Sequence, residues 1–98
     1  MAQVTWTPLA ESDLEEILIF IAEQGRPQTA EKINLEIRDK LAIYAESPNI
    51  GHVRSGFPEG VRFCIHKRWV IMYQPNKAGI GILRVIDSAR EFSKLFGK

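Results

Sequence analysis

The apolar residues of this 98-residue chain change period once, and that change limits the folds open to it. Before Pro48 they recur at helical spacing: Leu14, Ile17, Leu18 and Ile21 form one i, i+3, i+4, i+7 stripe, and Ala30, Ile33, Ile37, Leu41 and Tyr44 form a second. After Gly60 they alternate, with Val61, Phe63 and Ile65 interleaved with Arg62, Cys64 and His66, a period of two that no helix satisfies. A chain whose helical half precedes its strand half reads as α+β.

Punctuation residues divide the halves further. Val4-Thr5-Trp6 reads as a short strand, and Thr7-Pro8 supplies a cap and a first-turn proline for the first helix. Gly25 and Pro27 separate the two helices, and Ser47-Pro48 stops the second. A Gly- and Pro-rich loop spans Asn49 to Gly60. Lys67-Arg68 and Pro75-Asn76-Lys77-Ala78-Gly79 then read as turns between three strands of an antiparallel meander. Ser88 and Glu91 have capping-box spacing ahead of Phe92, Leu95 and Phe96, which predicts a short C-terminal helix docked on the sheet. The expected order is β-α-α-β-β-β-α, a helical hairpin packed on a small antiparallel sheet, as one domain over residues 1–98.

At 45% apolar and 26% charged residues the chain carries enough apolar material for one core, which excludes disorder and disulfide-scaffold classes. The lone cysteine, Cys64, cannot form an internal bridge and reads as a small buried hydrophobe. With no leader-like N-terminus and no run approaching a membrane span, a cytoplasmic protein is expected. The two histidines, His52 and His66, lack a ligand cluster, and Gly79-Ile80-Gly81 lacks a phosphate-loop context, so neither a metal nor a cofactor is expected.

Charge is more informative. Residues 1–47 hold nine acids and four bases, and residues 48–98 hold three acids and nine bases, so the formal net charge of +1 is −5 cancelled by +6. The candidate partner-binding cations are Arg54, Arg62, Arg84, Arg90 and Lys94. The alternation places Arg62 opposite Val61, Phe63 and Ile65, pointing away from the core. Arg84 interrupts an apolar strand and must be paired, with Glu11 or Asp13 as a helix partner, or lie at an open surface. Arg90 stands at the unfavourable end of a helix dipole. His66 is either a solvent-facing strand end or an acid-base group.

Val4-Thr5-Trp6-Thr7-Pro8 with Asp13-Leu14-Glu15-Glu16-Ile17, then Gly60-Val61-Arg62, Val70-Ile71-Met72-Tyr73, and Leu83-Arg84-Val85-Ile86-Asp87-Ser88-Ala89-Arg90-Glu91 resemble segments of the RelE/ParE superfamily of type II toxins. The resemblance covers nearly the whole chain. It implies a toxin with a cognate antitoxin and two possible activities, ribosome-dependent mRNA cleavage in RelE-like members and inhibition of DNA gyrase in ParE-like members. At positions where RelE-like nucleases carry catalytic groups this chain has Val70, Cys64 and Phe96, and only Arg62 and Arg90 supply matching charge, so the resemblance implies the ParE-like branch. Many members of that branch have histidine where this chain has Asp87. Were the chain a nuclease acting on ribosome and mRNA instead, Arg62, Arg84 and Arg90 with His66 would be its catalytic set; a degenerate member would only bind its antitoxin. A toxin–antitoxin hetero-oligomer is expected.

Overall fold

The computed structural model describes residues 2–88. Strand β1 (Gln3–Trp6) is followed by helices α1 (Pro8–Glu23) and α2 (Pro27–Glu46), a short 3-10 turn (Pro48–Ile50), and strands β2 (Arg62–His66), β3 (Trp69–Asn76) and β4 (Gly79–Asp87). The architecture is the expected α+β, with the helical hairpin covering one face of a four-stranded sheet. The expected C-terminal helix, with Arg90 and Lys94, lies outside the described residues. No helix among the described residues is long and apolar enough to cross a membrane.

The start of α1 follows from its sequence. Thr7 stands in extended conformation at the N-cap, its Oγ1 accepting from the Ala10 amide at 3.1 Å, and Pro8 opens the helix where its missing N–H costs nothing. The stripes then bury unequally. α2 buries Ala30, Ile33, Ile37, Leu41 and Ala45, whereas α1 buries Ala10 and Leu14 and leaves Ile17, Leu18 and Ile21 half-covered. Apart from Ala30, the main core gathers these side chains with Cys64, Ile71, Tyr73, Ile80 and Ile82 from the sheet.

The sheet is mixed, in the order β1-β4-β3-β2, which corrects the expectation of a wholly antiparallel one. β2, β3 and β4 form the predicted meander, but β1 lies parallel to β4, with Val4 opposite Ile80 and Trp6 opposite Ile82. A parallel pair needs a long connection, and the hairpin and meander between the two strands supply it. Gly79 permits the approach: its φ is +153°, and a Cβ there would overlap the backbone of Gln3.

Two further expectations are corrected. The turn after β3 contains only Lys77 and Ala78, and Pro75 and Asn76 remain in the strand. β2 pairs no further along β3 than Tyr73, so Pro75 sits where β3 has an open edge, and the Asn76 Oδ1 accepts from the amides of Ala78 and Gly79 at 2.9 and 2.8 Å to close the turn. The faces of β2 are also reversed. Cys64 enters the main core under the helices, while Val61 and Phe63 join a second cluster with Met72, Ile86, Phe57 and Leu83. Arg62 and His66 therefore share the helix-facing side of β2 with Cys64. The alternation identified two faces, but each face is apolar somewhere, so period alone could not say which one meets the helices.

Met72 faces Arg84 and Tyr73 faces Ile82, which leaves Leu83 as an extra residue in β4. This bulge breaks the ladder. Side chains at the start of α1 take up the backbone groups beside it: Thr7 Oγ1 donates to the Leu83 carbonyl at 3.1 Å, and the Asp13 carboxylate accepts from the Val85 amide at 3.0 Å.

Candidate partner-binding surface

Each described cation singled out from the sequence has a definite place. Arg62, at the start of β2, donates from Nη1 to the carbonyls of Asn49 and Gly51 at 3.2 and 2.9 Å. The Tyr73 hydroxyl donates to the Pro48 carbonyl at 2.6 Å, so two side chains of the sheet hold the segment that leaves α2. Gly51 is required beneath it, since a Cβ would overlap the Tyr73 ring. Burial raises the Tyr73 phenol above its ordinary pKa, which keeps it a donor. One residue further, His52 exchanges both backbone hydrogen bonds with Phe63 at 2.8 and 2.9 Å, and its ring lies 5.3 Å from the Phe63 ring. Arg54 follows on this loop, half-buried.

Arg84 meets the acid partner that a strand guanidinium requires. Its Nε donates to Asp13 Oδ2 at 2.7 Å and its Nη2 to Asp13 Oδ1 at 3.0 Å, a two-point pair with both side chains mostly buried. His66, at the far end of β2, is not solvent-facing: its Nε2 lies 2.9 Å from Glu36 Oε1 on α2, and the His66 side chain is 14% exposed. That hydrogen bond is the main reason the Glu36 carboxyl is held below its usual range. Cys64 is fully buried, and burial pushes its thiol up to about 11, so it stays a thiol at neutral pH.

The structure does not bring these groups together. Arg62 and His66 stand four residues apart on one strand, about 13 Å at the usual rise, and are held by different partners, the loop leaving α2 and Glu36. Arg62 turns to the loop leaving α2 and Arg84 to α1, on opposite sides of β3. Val70 and Met72 alternate with the core-facing Ile71 and Tyr73, so Val70 lies on the face opposite Arg62. The described residues contain no group of three or more His, Cys, Asp or Glu side chains placed to hold a metal ion.

What the sequence did not signal is a groove of about 620 Å³ between the closed end of the helical hairpin and the β2–β3 turn. Its floor is Ile17, Ile21, Ile33, Trp69 and Val85, and Phe20, 55% exposed, forms part of its wall. Asp13, Glu16 and Asp87 also line it, with Arg26, Lys67 and Arg68. The residues come from α1, α2, β3, β4 and two turns, so no local motif announces them.

Among solved structures, one described as the chromosomal ParDE TA system from P. aeruginosa aligns with a TM-score of 0.73 over 89% of this chain and 96% of that one. At 24% identity this likeness shows a shared fold. Residues 4–92 match the family described as the ParE toxin of type II toxin-antitoxin system, parDE, and the chain belongs to that family, the ParE-like branch of the RelE/ParE superfamily. No curated protein sequence matches it.

Proposed function

We propose that this type II toxin acts by binding DNA gyrase so that the cleaved DNA complex persists, and that a cognate antitoxin neutralises it in a cytoplasmic hetero-oligomer. The observation that carries the reading is the ParE family match over residues 4–92. Geometry supports it. Cleaving a phosphodiester calls for a base, an acid and a cation converging on one phosphate. Here Arg62, Arg84 and His66 are each engaged with a different internal partner and do not converge. Arg54, Arg62, Arg84, Arg90 and Lys94 are the cations proposed for partner binding; Arg62 and Arg84 also hold the fold, so their alanine variants must be checked for stability before toxicity is compared.

Supercoiling by purified gyrase, with the toxin added at micromolar concentration, is the deciding assay. Loss of supercoiling with accumulation of cleaved DNA is expected. Unimpaired supercoiling, together with codon-phased cuts in a translated message, would replace this reading with ribosome-dependent cleavage.

A further inference from the structure

A second groove, of about 520 Å³, opens between α1 and α2 and reaches Trp6 of β1. Leu14, Leu18, Ile19 and Ala22 of α1 and Ala30 of α2 make its apolar strip. Leu14 and Ala30 are buried, whereas Ile19 is 49% exposed, so the strip rises out of the hairpin into solvent. Ala22 and Ala30 leave room for another helix, because the distance at which helices pack follows the size of the side chains between them. Leu35, 56% exposed and one turn before Arg38 on α2, extends the apolar area.

Charge divides this face lengthwise. Glu11 and Glu15 of α1 line it, both exposed, and so does Arg38 of α2. The guanidinium of Arg38 is held in place: its Nε donates to Asn34 Oδ1 at 3.0 Å, and its central carbon lies 5.1 Å from the centre of the Trp6 ring. None of the ion pairs among the described residues includes Glu11, Glu15 or Arg38. A cation fixed by two neutral neighbours, across a groove from carboxylates it does not meet, is preorganised for charges outside the chain.

This pattern is complementary to itself. At 1.5 Å per residue, Glu15 and Glu11 lie about 12 and 18 Å from the end of α1 nearest the turn, and Arg38 lies about 17 Å from the matching end of α2. The acids and the base are therefore nearly level. A two-fold axis parallel to the helices lays α1 of each copy over α2 of the other, so each opposite-charge contact occurs twice. A two-fold axis across the helices would set α1 on α1, acids against acids. We infer that this toxin self-associates through the α1–α2 face of its hairpin, as a two-fold four-helix arrangement in which Ile19 packs at the centre and Arg38 of each copy meets Glu11 and Glu15 of the other. One hairpin per copy makes a small interface, which places the dimer in the micromolar range. The inference does not depend on the target of the toxin.

Sedimentation equilibrium of the purified full-length toxin, from about 1 to about 200 μM, tests it, with thermal melting as the check on folding. The apparent mass should rise from that of one chain toward that of two. Glu15→Arg and Arg38→Glu each set like charges together and should weaken self-association at least about tenfold, whereas the two variants mixed in equal amounts should associate again, because each then meets opposite charge on the other. Ile19→Asp, at an exposed position, should abolish the dimer while the domain still melts cooperatively, and it tests the same face if a charge reversal fails to fold. A parent toxin that stays monomeric over the whole range overturns the inference. So does a dimer that Ile19→Asp and both reversals leave intact, and folded variants whose mixture fails to associate overturn the two-fold arrangement.

Discussion

Asp13 joins two layers through one carboxylate. It accepts from Arg84 Nε and Nη2 and from the Val85 amide, at 2.7, 3.0 and 3.0 Å, and so satisfies a strand guanidinium and a backbone donor beside the β4 bulge. Deleting that carboxylate leaves both donors in a largely dehydrated place. Asp13→Ala should therefore cost about 2–4 kcal/mol, toward the upper end for a mostly buried pair. Urea unfolding measures it, and a double-mutant cycle with Arg84→Ala should show coupling above about 1 kcal/mol. A loss within about 0.5 kcal/mol would mean the pair is replaceable by water. The pairing was legible in the sequence as one of two outcomes, because a guanidinium on an apolar strand needs an acid and the first helix offered Glu11 and Asp13, of which the fold uses Asp13. The bulge that aims Arg84 at α1 was not legible, since it arises from the register between β3 and β4. Arg62 was misplaced for a different reason: with Val61 and Phe63 packing on one face and Cys64 on the other, alternation gives two sides without naming the inner one.

Among elements, the junction of α2 and β2 combines apolar burial with two polar ties. Lys40 Nζ donates to the Ile65 carbonyl at 2.8 Å, which also caps an open acceptor on an edge strand, and Glu36 meets His66. Glu36 has a depressed pKa, chiefly from the His66 hydrogen bond and with help from the Lys67 and Lys32 charges. A carboxylate with a lower pKa folded than unfolded contributes stability above its unfolded value, and that contribution is lost as pH falls through its folded value. The parent protein should therefore be more stable than Glu36→Gln at pH 7, and the gap should narrow as the solution is acidified below about pH 4.5, the ordinary glutamate range. Melting curves of both proteins across that window give the answer, and a gap independent of pH would show that the tie does not depend on the carboxylate charge. The helices and the meander were readable from period and punctuation. The partner of β1 was not, because four residues of strand carry no mark of which edge they join. Gly79 held the available clue, yet a glycine beside a turn reads first as turn chemistry.

For the whole molecule, the opposed charges of the two halves of the chain are partly joined inside the fold. Asp13 with Arg84 pairs an acid of the first half with a base of the second across the two layers, and Glu36 hydrogen-bonds His66, so part of the division is used to dock the hairpin on the sheet. What remains at the surface still differs by region: Glu11, Glu15, Glu16 and Glu23 are exposed on α1, and Lys67 and Lys77 are exposed on turns of the meander. The halves could be counted from the sequence, but which charges stay free for a partner depends on contacts between layers, and the groove lined by four elements and two turns depends on them entirely. Surface charges of this kind act over about 10 Å at 0.1 M salt and about 3 Å at 1 M, so they set encounter more than residence. If the antitoxin presents an acidic segment, its association rate constant with this toxin should fall at least about tenfold between those two salt concentrations, while the dissociation rate constant changes far less. Stopped-flow mixing resolves both. A flat association rate would assign recognition to uncharged contacts, and a dissociation rate that rises as steeply as association falls would place the charged contacts within the bound interface rather than along the approach to it.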